Sequence, residues 1–476
     1  MALQFYNSLT KKIEPFVPQD ASQVRVYHCG PTVYKRPHLG NMRRYLFADF
    51  LHRTLVFFGY TVREITNITD VGHLTQDDLD AGEDKLEREA REQQLTPQRI
   101  AAQVTEQYFA DAAALNILPS NEYPRATAHI PAMQALITRL LARGHAYQTA
   151  SGVYFDVTSF AEYGKLSGNT LNHVAAGARV AVREEKHHPA DFALWKTKDL
   201  QHVQQWDSPW GRGYPGWHIE CSAMAQAYLG ETLDIHTGGE DNKFPHHENE
   251  IAQSESATGK PLALFWLHNA HLRTGGVKVA KRDGKNLTVS TLRVRGYSPL
   301  SFRLLVFASH YRSPVDFSWK AMDQAAANLA TFSSLLQRLQ EVLPFSPEYS
   351  FADKEGAEVL DHFSAALADD LNTPSALAVV LQYVHTLNIR LAEGALPAAS
   401  AGTVWSVLLR LDSVLGVIES LLPAAGPPPN IAALAKRREA ARIAGDFVRS
   451  DELRDQLTEA GWRIEDTSAG PRLIRL

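Results

Sequence analysis

Cysteine is nearly absent from this chain, with two residues in 476. That scarcity excludes a disulfide-rich scaffold, which needs several bridges to stand in for a core. Long apolar runs are missing as well. None approaches the ~20 residues that cross a bilayer, and Met1 to Asp20 carries Lys11, Lys12, Glu14 and Asp20 and no apolar core segment, so neither a membrane span nor a signal peptide is expected. Charge of one sign is also lacking. With 48 Lys+Arg against 53 Asp+Glu the net charge is −5, which argues against binding nucleic acid by bulk charge and leaves only local basic surfaces. No internal repeat or low-complexity tract occurs. A chain of this length exceeds one core and implies several domains. The expectation left standing is a multidomain cytoplasmic enzyme.

What is present clusters around the two cysteines. Cys29 ends the strand-like run Val24-Arg25-Val26-Tyr27-His28-Cys29-Gly30-Pro31-Thr32, and Cys221 lies in Gly216-Trp217-His218-Ile219-Glu220-Cys221-Ser222. Further on, Phe244-Pro245-His246-His247-Glu248-Asn249-Glu250 places His246 and Glu250 on one helix face at i,i+4, a spacing His247 does not share. Two soft thiolates, an imidazole and a carboxylate suit one zinc ion. Taken singly, each cysteine also fits a buried apolar position and the histidine a structural one.

Hydrophobic periodicity supplies the frame. Val24–Cys29 reads as a buried strand, Leu39–Phe58 as a helix and Thr61–Ile68 as a second strand, together one βαβ unit of a nucleotide-binding sheet. Helical, charge-rich sequence runs from Asp77 to about Leu115. Residues 121–206 mix a helix (Ile130–Gly144) with β-like pieces such as Gly152–Val157. The sheet pattern resumes with Trp217–Cys221 and Leu233–His236, before a helix near Pro245. After Asp316 the texture is helical, with Thr373-Pro374 read as an N-cap and a proline at N1. Gly426-Pro427-Pro428-Pro429 reads as a stiff linker. It separates an acidic region (351–429, 3 Lys+Arg against 9 Asp+Glu) from a balanced one (430–476, 9 against 8).

Two motifs suit phosphate. His38-Leu39-Gly40-Asn41 sits at the loop-to-helix junction of the βαβ unit, where free N–H groups and the helix dipole favour an anion. Gly40 admits close approach, and His38 can donate to a phosphate whose charge grows during reaction. Lys278-Val279-Ala280-Lys281-Arg282 is a cationic loop able to steady a leaving pyrophosphate. In isolation the first also reads as a helix cap and the second as a solvated basic loop.

Together these segments resemble cysteinyl-tRNA synthetases, a family of class I aminoacyl-tRNA synthetases. Further segments carry the resemblance: Asn67-Ile68-Thr69-Asp70, Pro124-Arg125-Ala126-Thr127, Asp191-Phe192-Ala193-Leu194-Trp195-Lys196, His310-Tyr311-Arg312-Ser313, Leu371-Asn372-Thr373-Pro374 and Glu465-Asp466-Thr467. The resemblance implies an α/β fold with a Rossmann-like parallel-sheet catalytic domain (1–120 and 207–260) and a connective insertion (121–206). A stem-contact region with the signature loop (261–315), a helical tRNA-binding bundle (316–425) and a small anticodon-binding module (430–476) would follow. It implies activation of L-cysteine with ATP to cysteinyl-adenylate and transfer to the 3′ end of tRNA-Cys by a monomeric cytoplasmic ligase, with Mg2+ accompanying ATP. One zinc would be held by Cys29, Cys221, His246 and Glu250. Thr32, Thr69, Trp217 and His236 match positions that line the cysteine pocket. His38, Gly40, Asn41 and Lys281 match ATP-binding positions, with His38, Asn41, Lys278 and Lys281 catalytic. Zinc would act there as a selector, because soft sulfur ionises on a metal and a neutral hydroxyl does not.

The chain departs from the family in places. Val279, Ala280 and Arg282 replace Met, Ser and Ser of a Lys-Met-Ser-Lys-Ser signature, and Asn41 replaces a second histidine. Asp70-Val71-Gly72-His73 strays from an acidic run. A related ligase joining activated cysteine to a small amine, as in mycothiol assembly, would share the zinc and adenylate chemistry but need no anticodon reader. A paralogue that only binds zinc or tRNA would not need both loop lysines. Lys436, Arg437, Arg438 and Arg442, within two helical turns, suit phosphate contacts or a solvated face.

Overall fold

The computed structural model describes residues 2–76, 81–169, 185–197, 202–278, 287–342, 353–397, 400–422, 429–460, 462–467 and 470–475. At its centre is a four-stranded parallel sheet built from β1 (Val24–His28), β2 (Val62–Thr66), β3 (Leu233–Gly239) and β4 (Ala263–Asn269), in the order β4-β3-β1-β2. β1 is buried at every residue but Arg25 and β3 at every residue, as befits strands covered on each side. One face packs Val24, Val26 and Ile235 against Phe47 and Leu51 of α1 (Leu39–Phe57). The other packs Tyr27 and Trp266 against Ile219 of α2 (Trp217–Leu229) and Ile251 of α3 (Glu248–Thr258). The β1-α1-β2 unit therefore forms where the periodicity places it.

Other expectations are corrected. Trp217–Cys221 is the start of α2 and not a strand. The element is buried on almost every side, so its apolar run carries no visible 3.6-residue period. The segment from Asp77 is not continuously helical: Leu74–Gln76 and Ala81–Asp84 form an antiparallel hairpin before the helices Lys85–Gln93 and Pro97–Ala114. The insertion's antiparallel sheet, Ala146–Thr149, Gly152–Phe155 and Phe192–Lys196, closes on Tyr214–Pro215 and so extends past residue 206. The cap at Thr373-Pro374 is shifted by one, with Asn372 accepting from Ser375 N.

The chain divides into two compact units, Met1–Ile418 and Glu419–Leu476. Within the first, α4 (Pro299–Phe307) leads to the helices Trp319–Val342, Lys354–Ala368, Thr373–Ala392 and Ala401–Leu415. The second holds two helices, Pro429–Ile443 and Phe447–Glu459, and a hairpin, Trp462–Thr467 with Gly470–Arg475, around Ile431, Leu457 and Trp462. Arg438 is buried there beside Glu439, which removes it from a phosphate-contacting face; Lys436, Arg437 and Arg442 are exposed. The linker at Gly426–Pro428 lies outside the described residues. Among the described residues, no helix is long and apolar enough to cross a membrane.

Arg303 on α4 fixes the helical part to the sheet domain. Its guanidinium, wholly buried, pairs with Asp49 of α1 at 2.6 Å and donates to Leu415 O (2.6 Å), Asn116 O (3.1 Å) and Leu115 O (3.2 Å). Asp49 is also held by Arg53 at 2.9 Å. Arg303→Met is expected to destabilise this unit by about 3–5 kcal/mol, because it leaves a buried carboxylate half-paired. Denaturant unfolding of the variant checks this, and a loss below about 1 kcal/mol would show the guanidinium to be dispensable.

Candidate active site

The chain order reverses direction between β1 and β3: β1 leads through α1 to β2 on one side, and β3 leads through α3 to β4 on the other. Open parallel sheets bind ligands in the crevice outside the strand carboxyl ends at such a switch point. Cys29 follows β1 directly. α2 brings Cys221 on its second turn, and α3, entered through a helical turn at Lys243–His247, brings His246 and Glu250.

One donor atom from each of Cys29, Cys221, His246 and Glu250 lies within 4.8 Å of the others, and all four residues are buried. His246 Nε2 is 3.1 Å and Cys29 Sγ 3.7 Å from Glu250 Oε1. Cys29, His236, His247 and Glu250 form a second combination of equal compactness. Access decides between them. His246 lines a cleft together with Thr32, Asn41 and Trp217. His247 is fully enclosed, with Nδ1 2.8 Å from His268 Nε2. His246 brings the first set to the cleft, whereas no member of the second lines it, although Cys29 Sγ lies 3.2 Å from His247 Nε2. Outer partners orient it: His218 Nδ1 is 2.8 Å from His246 Nδ1, and His236 Nε2 is 2.9 Å from Glu250 Oε2.

Electrostatics agree with a metal-binding role. Burial pushes the Cys29 thiol up, and a hydrogen bond with Cys29, followed by burial, pushes Cys221 well up. Burial holds His246 well below the usual imidazole range. Without metal the set is thus two protonated thiols beside a neutral imidazole, whose lone pair is ready. A closed cluster of two sulfurs, a nitrogen and an oxygen fits a borderline-soft divalent ion such as zinc.

One end of the cleft, at Pro37 and Asn41, lies at the start of α1. His38 is its N-cap: Nδ1 accepts from Asn41 N at 3.2 Å, and Asn41 Oδ1 accepts from His38 N at 3.3 Å. A neutral imidazole that accepts at Nδ1 carries its proton on Nε2, leaving that atom a donor. A side chain at position 40 would begin 2.9 Å from the His38 ring, so only glycine fits beneath it.

Of the residues expected to line a cysteine pocket, Thr32 and Trp217 do face the cleft, and the Trp217 ring packs 4.5 Å from that of His246. Thr69 and His236 stand behind the wall. Thr69 is tied by its backbone to Pro31 and Val33, and His236 backs Glu250. Lys281, with Val279, Ala280 and Arg282, lies outside the described residues; of Lys278 only the backbone strand is described.

Sequence reasoning missed four cations or imidazoles on the cleft wall: Lys35, Arg44, His73 and Lys85. His73 Nε2 meets the buried Glu220 Oε1 at 2.7 Å. The stretch Asp70–His73 now has an account. It opens the Leu74–Asp84 hairpin, and a Cβ on Gly72 would overlap the Asp84 carboxylate, so glycine lets the hairpin fold back. Asp70 is committed to structure, accepting from Thr127 N (2.9 Å) and Thr127 Oγ1 (2.7 Å). Glu220 lay inside the Cys221 motif, but a charged residue beside a cysteine gave no sign of its partner.

Comparison with known proteins places this geometry. Residues 15–327 match the family described as tRNA synthetases class I (C) catalytic domain, and residues 362–419 match the DALR domain. A cysteine–tRNA ligase of Thermus thermophilus is 44% identical over 480 residues, covering 99% of each chain. That of Chlorobaculum tepidum is 43% identical over 485 residues, covering 98% of each. The methionyl-tRNA synthetase of Mycobacterium tuberculosis, solved with methionyl-adenylate, shares the fold at a TM-score of 0.56 and 14% identity, over 84% of this chain and 91% of that one. Identity of this order along nearly the whole length, carried on a class I catalytic domain, means that the chain belongs to the cysteine–tRNA ligases, class I aminoacyl-tRNA synthetases.

Proposed function

We propose that this chain joins L-cysteine to tRNA-Cys in two steps, with the thiol chosen at the Cys29–Cys221–His246–Glu250 cluster. The observation that carries the reading is the convergence of four buried donors, two sulfurs, a nitrogen and an oxygen, behind a cleft that His246 lines and that borders the N-terminus of α1 at Asn41. When bound there, zinc supplies a soft Lewis acid that takes a thiolate and passes over an alcohol. Shape alone distinguishes such near-isosteres by only ~10–200-fold.

The rest of the chemistry falls to the chain's own groups. Trp217 packs against His246 and walls the amino acid in. In the first step a carboxylate oxygen of cysteine attacks the α-phosphorus of ATP and pyrophosphate leaves with the bridging electrons. His38 Nε2–H and the α1 N-terminus meet the growing phosphate charge, Asn41 lines the same cleft, and Lys278 and Lys281 hold the departing pyrophosphate with its Mg2+. In the second step a hydroxyl of the terminal ribose attacks the activated carbonyl and AMP leaves. The DALR match and the 419–476 unit support tRNA as the acceptor over a small amine, which would need neither.

Pyrophosphate exchange tests the selector. Exchange with cysteine is expected to exceed that with serine by ~10³-fold or more, beyond what shape supplies. Cys29→Ser or metal removal should collapse it. Equal exchange with both amino acids would end the selector reading. Charging of an unmodified transcript bearing the cysteine anticodon is expected; activation without charging would favour a small-amine acceptor.

Metal retention should depend on pH in a defined direction. Both thiols are raised, so metal entry displaces two protons, whereas His246 is already neutral and contributes none. Apparent zinc affinity is therefore expected to fall by about a hundredfold per unit as pH drops below neutrality. Chelator competition measures it, and a pH-independent affinity would contradict the assignment of both cysteines as ligands.

A further inference from the structure

Arg43 stands one turn into α1, two residues beyond the His38–Asn41 motif, and is only 1% exposed. Its guanidinium spends its donors on four main-chain carbonyls. Nη1 bonds Ala270 O and, at 2.6 Å, His271 O; Nη2 bonds Ser313 O at 2.5 Å and Tyr311 O at 3.4 Å. These carbonyls immediately precede two short strands, β5 (Leu272–Thr274) and β7 (Val315–Asp316), which pair with each other. β5 also pairs with β6 (Val277–Lys278), with Arg273 opposite Lys278. One side chain thus binds the phosphate-suited helix to the small sheet that carries Lys278. A second tie runs from the helix's first residue: Leu39 N donates to Leu287 O at 2.6 Å.

No carboxylate lies within ion-pair distance of Arg43 among the described residues, and burial pushes it down to about 10, which still leaves it charged at neutrality. Burying an unpaired cation is costly, and apolar packing would hold two segments together more cheaply. What packing does not supply is a rigid planar fork that fixes the angle and spacing of both segments at once.

We infer that Arg43 is a positioning residue for adenylate formation, holding the strand of Lys278 at a set distance from His38 and Asn41. This rests on the ATP roles given to those residues above. The step that needs both ends of the triphosphate held is pyrophosphate departure. Transfer of cysteine from the finished adenylate to tRNA does not need it.

Arg43→Lys keeps the charge and the stem but replaces the fork with a single point donor. The expected result is a fall of about 10–100-fold in kcat for cysteine-dependent pyrophosphate exchange. KM for cysteine, zinc content and the rate of transfer from pre-formed enzyme-bound adenylate should stay at the parent values. A uniform fall in exchange and transfer would show that Arg43 only maintains the fold, and unchanged exchange would remove its role; either overturns the inference. Arg43→Gln, neutral and so easier to bury, is read by the same split if the lysine variant does not fold. His38→Ala and Lys278→Ala separate the two layers. If these slow exchange and the Arg43 variants do not, this inference alone fails; if neither slows it, the ATP assignment fails and the inference with it.

Discussion

A carboxylate, two thiols and an imidazole packed together away from water make a cluster that burial alone would not favour. Each thiol is pushed toward its protonated form and the imidazole toward neutrality, while the Glu250 carboxylate lies between His236 and His246. A divalent cation relieves all of these at once. The helices that hold the donors are well enclosed. α2 and α3 bury most of their residues, including Glu220, Glu248 and Gln253, each of which has a polar partner. The rigidity of the cluster comes from these outer bonds, which leave the donors little freedom to turn away.

Placement of the cluster follows from chain topology. Only at the reversal between β1 and β3 do two strand ends open to a common crevice, and it is there that Cys29 meets residues supplied by two later helices. The same crevice borders the N-terminus of α1, because one βαβ unit ends where the other half of the sheet begins. His73 and Lys85, at the two ends of the 74–84 hairpin, add to the wall of this crevice. His73, carried in by the hairpin, pairs with Glu220 one residue from Cys221 and so steadies the helix that holds the second sulfur.

Much of this was legible in the sequence, and the limits have physical causes. β1, α1 and β2 were readable because strand alternation and helix length differ where a single unit is bounded by clear breaks. α2 was not, since a helix buried all round loses its period and its first five residues mimic a strand. The i,i+4 spacing singles out His246, and His246 lines the cleft while His247 does not. Thr69 and His236 were placed in the pocket because motifs name positions, not facings; both belong to the layer behind it. Arg438 shows the converse. A run of four cations suggests a wet face, yet one of them turns inward.

Buried guanidinium groups have a common task in the first unit. Arg43 and Arg303 each donate mainly to main-chain carbonyls at the ends of loops, and Arg44 donates to Gly30 O and Asn242 Oδ1 beside the cleft. Loop carbonyls taken from water must find donors, and where no neighbouring strand or helix offers N–H groups an arginine can serve several at once. Two of these arginines are consecutive on α1, and Asp49 and Arg53 on the same helix bind Arg303 and the end of the Pro97–Ala114 helix region at Asn116. The helix that begins at the phosphate motif is therefore also the rod from which the surrounding loops are hung. Any displacement of its N-terminus would be felt at Ala270, Ser313 and Leu415 together. That arrangement suits an enzyme whose two substrates must be held at a fixed separation by segments more than two hundred residues apart in sequence.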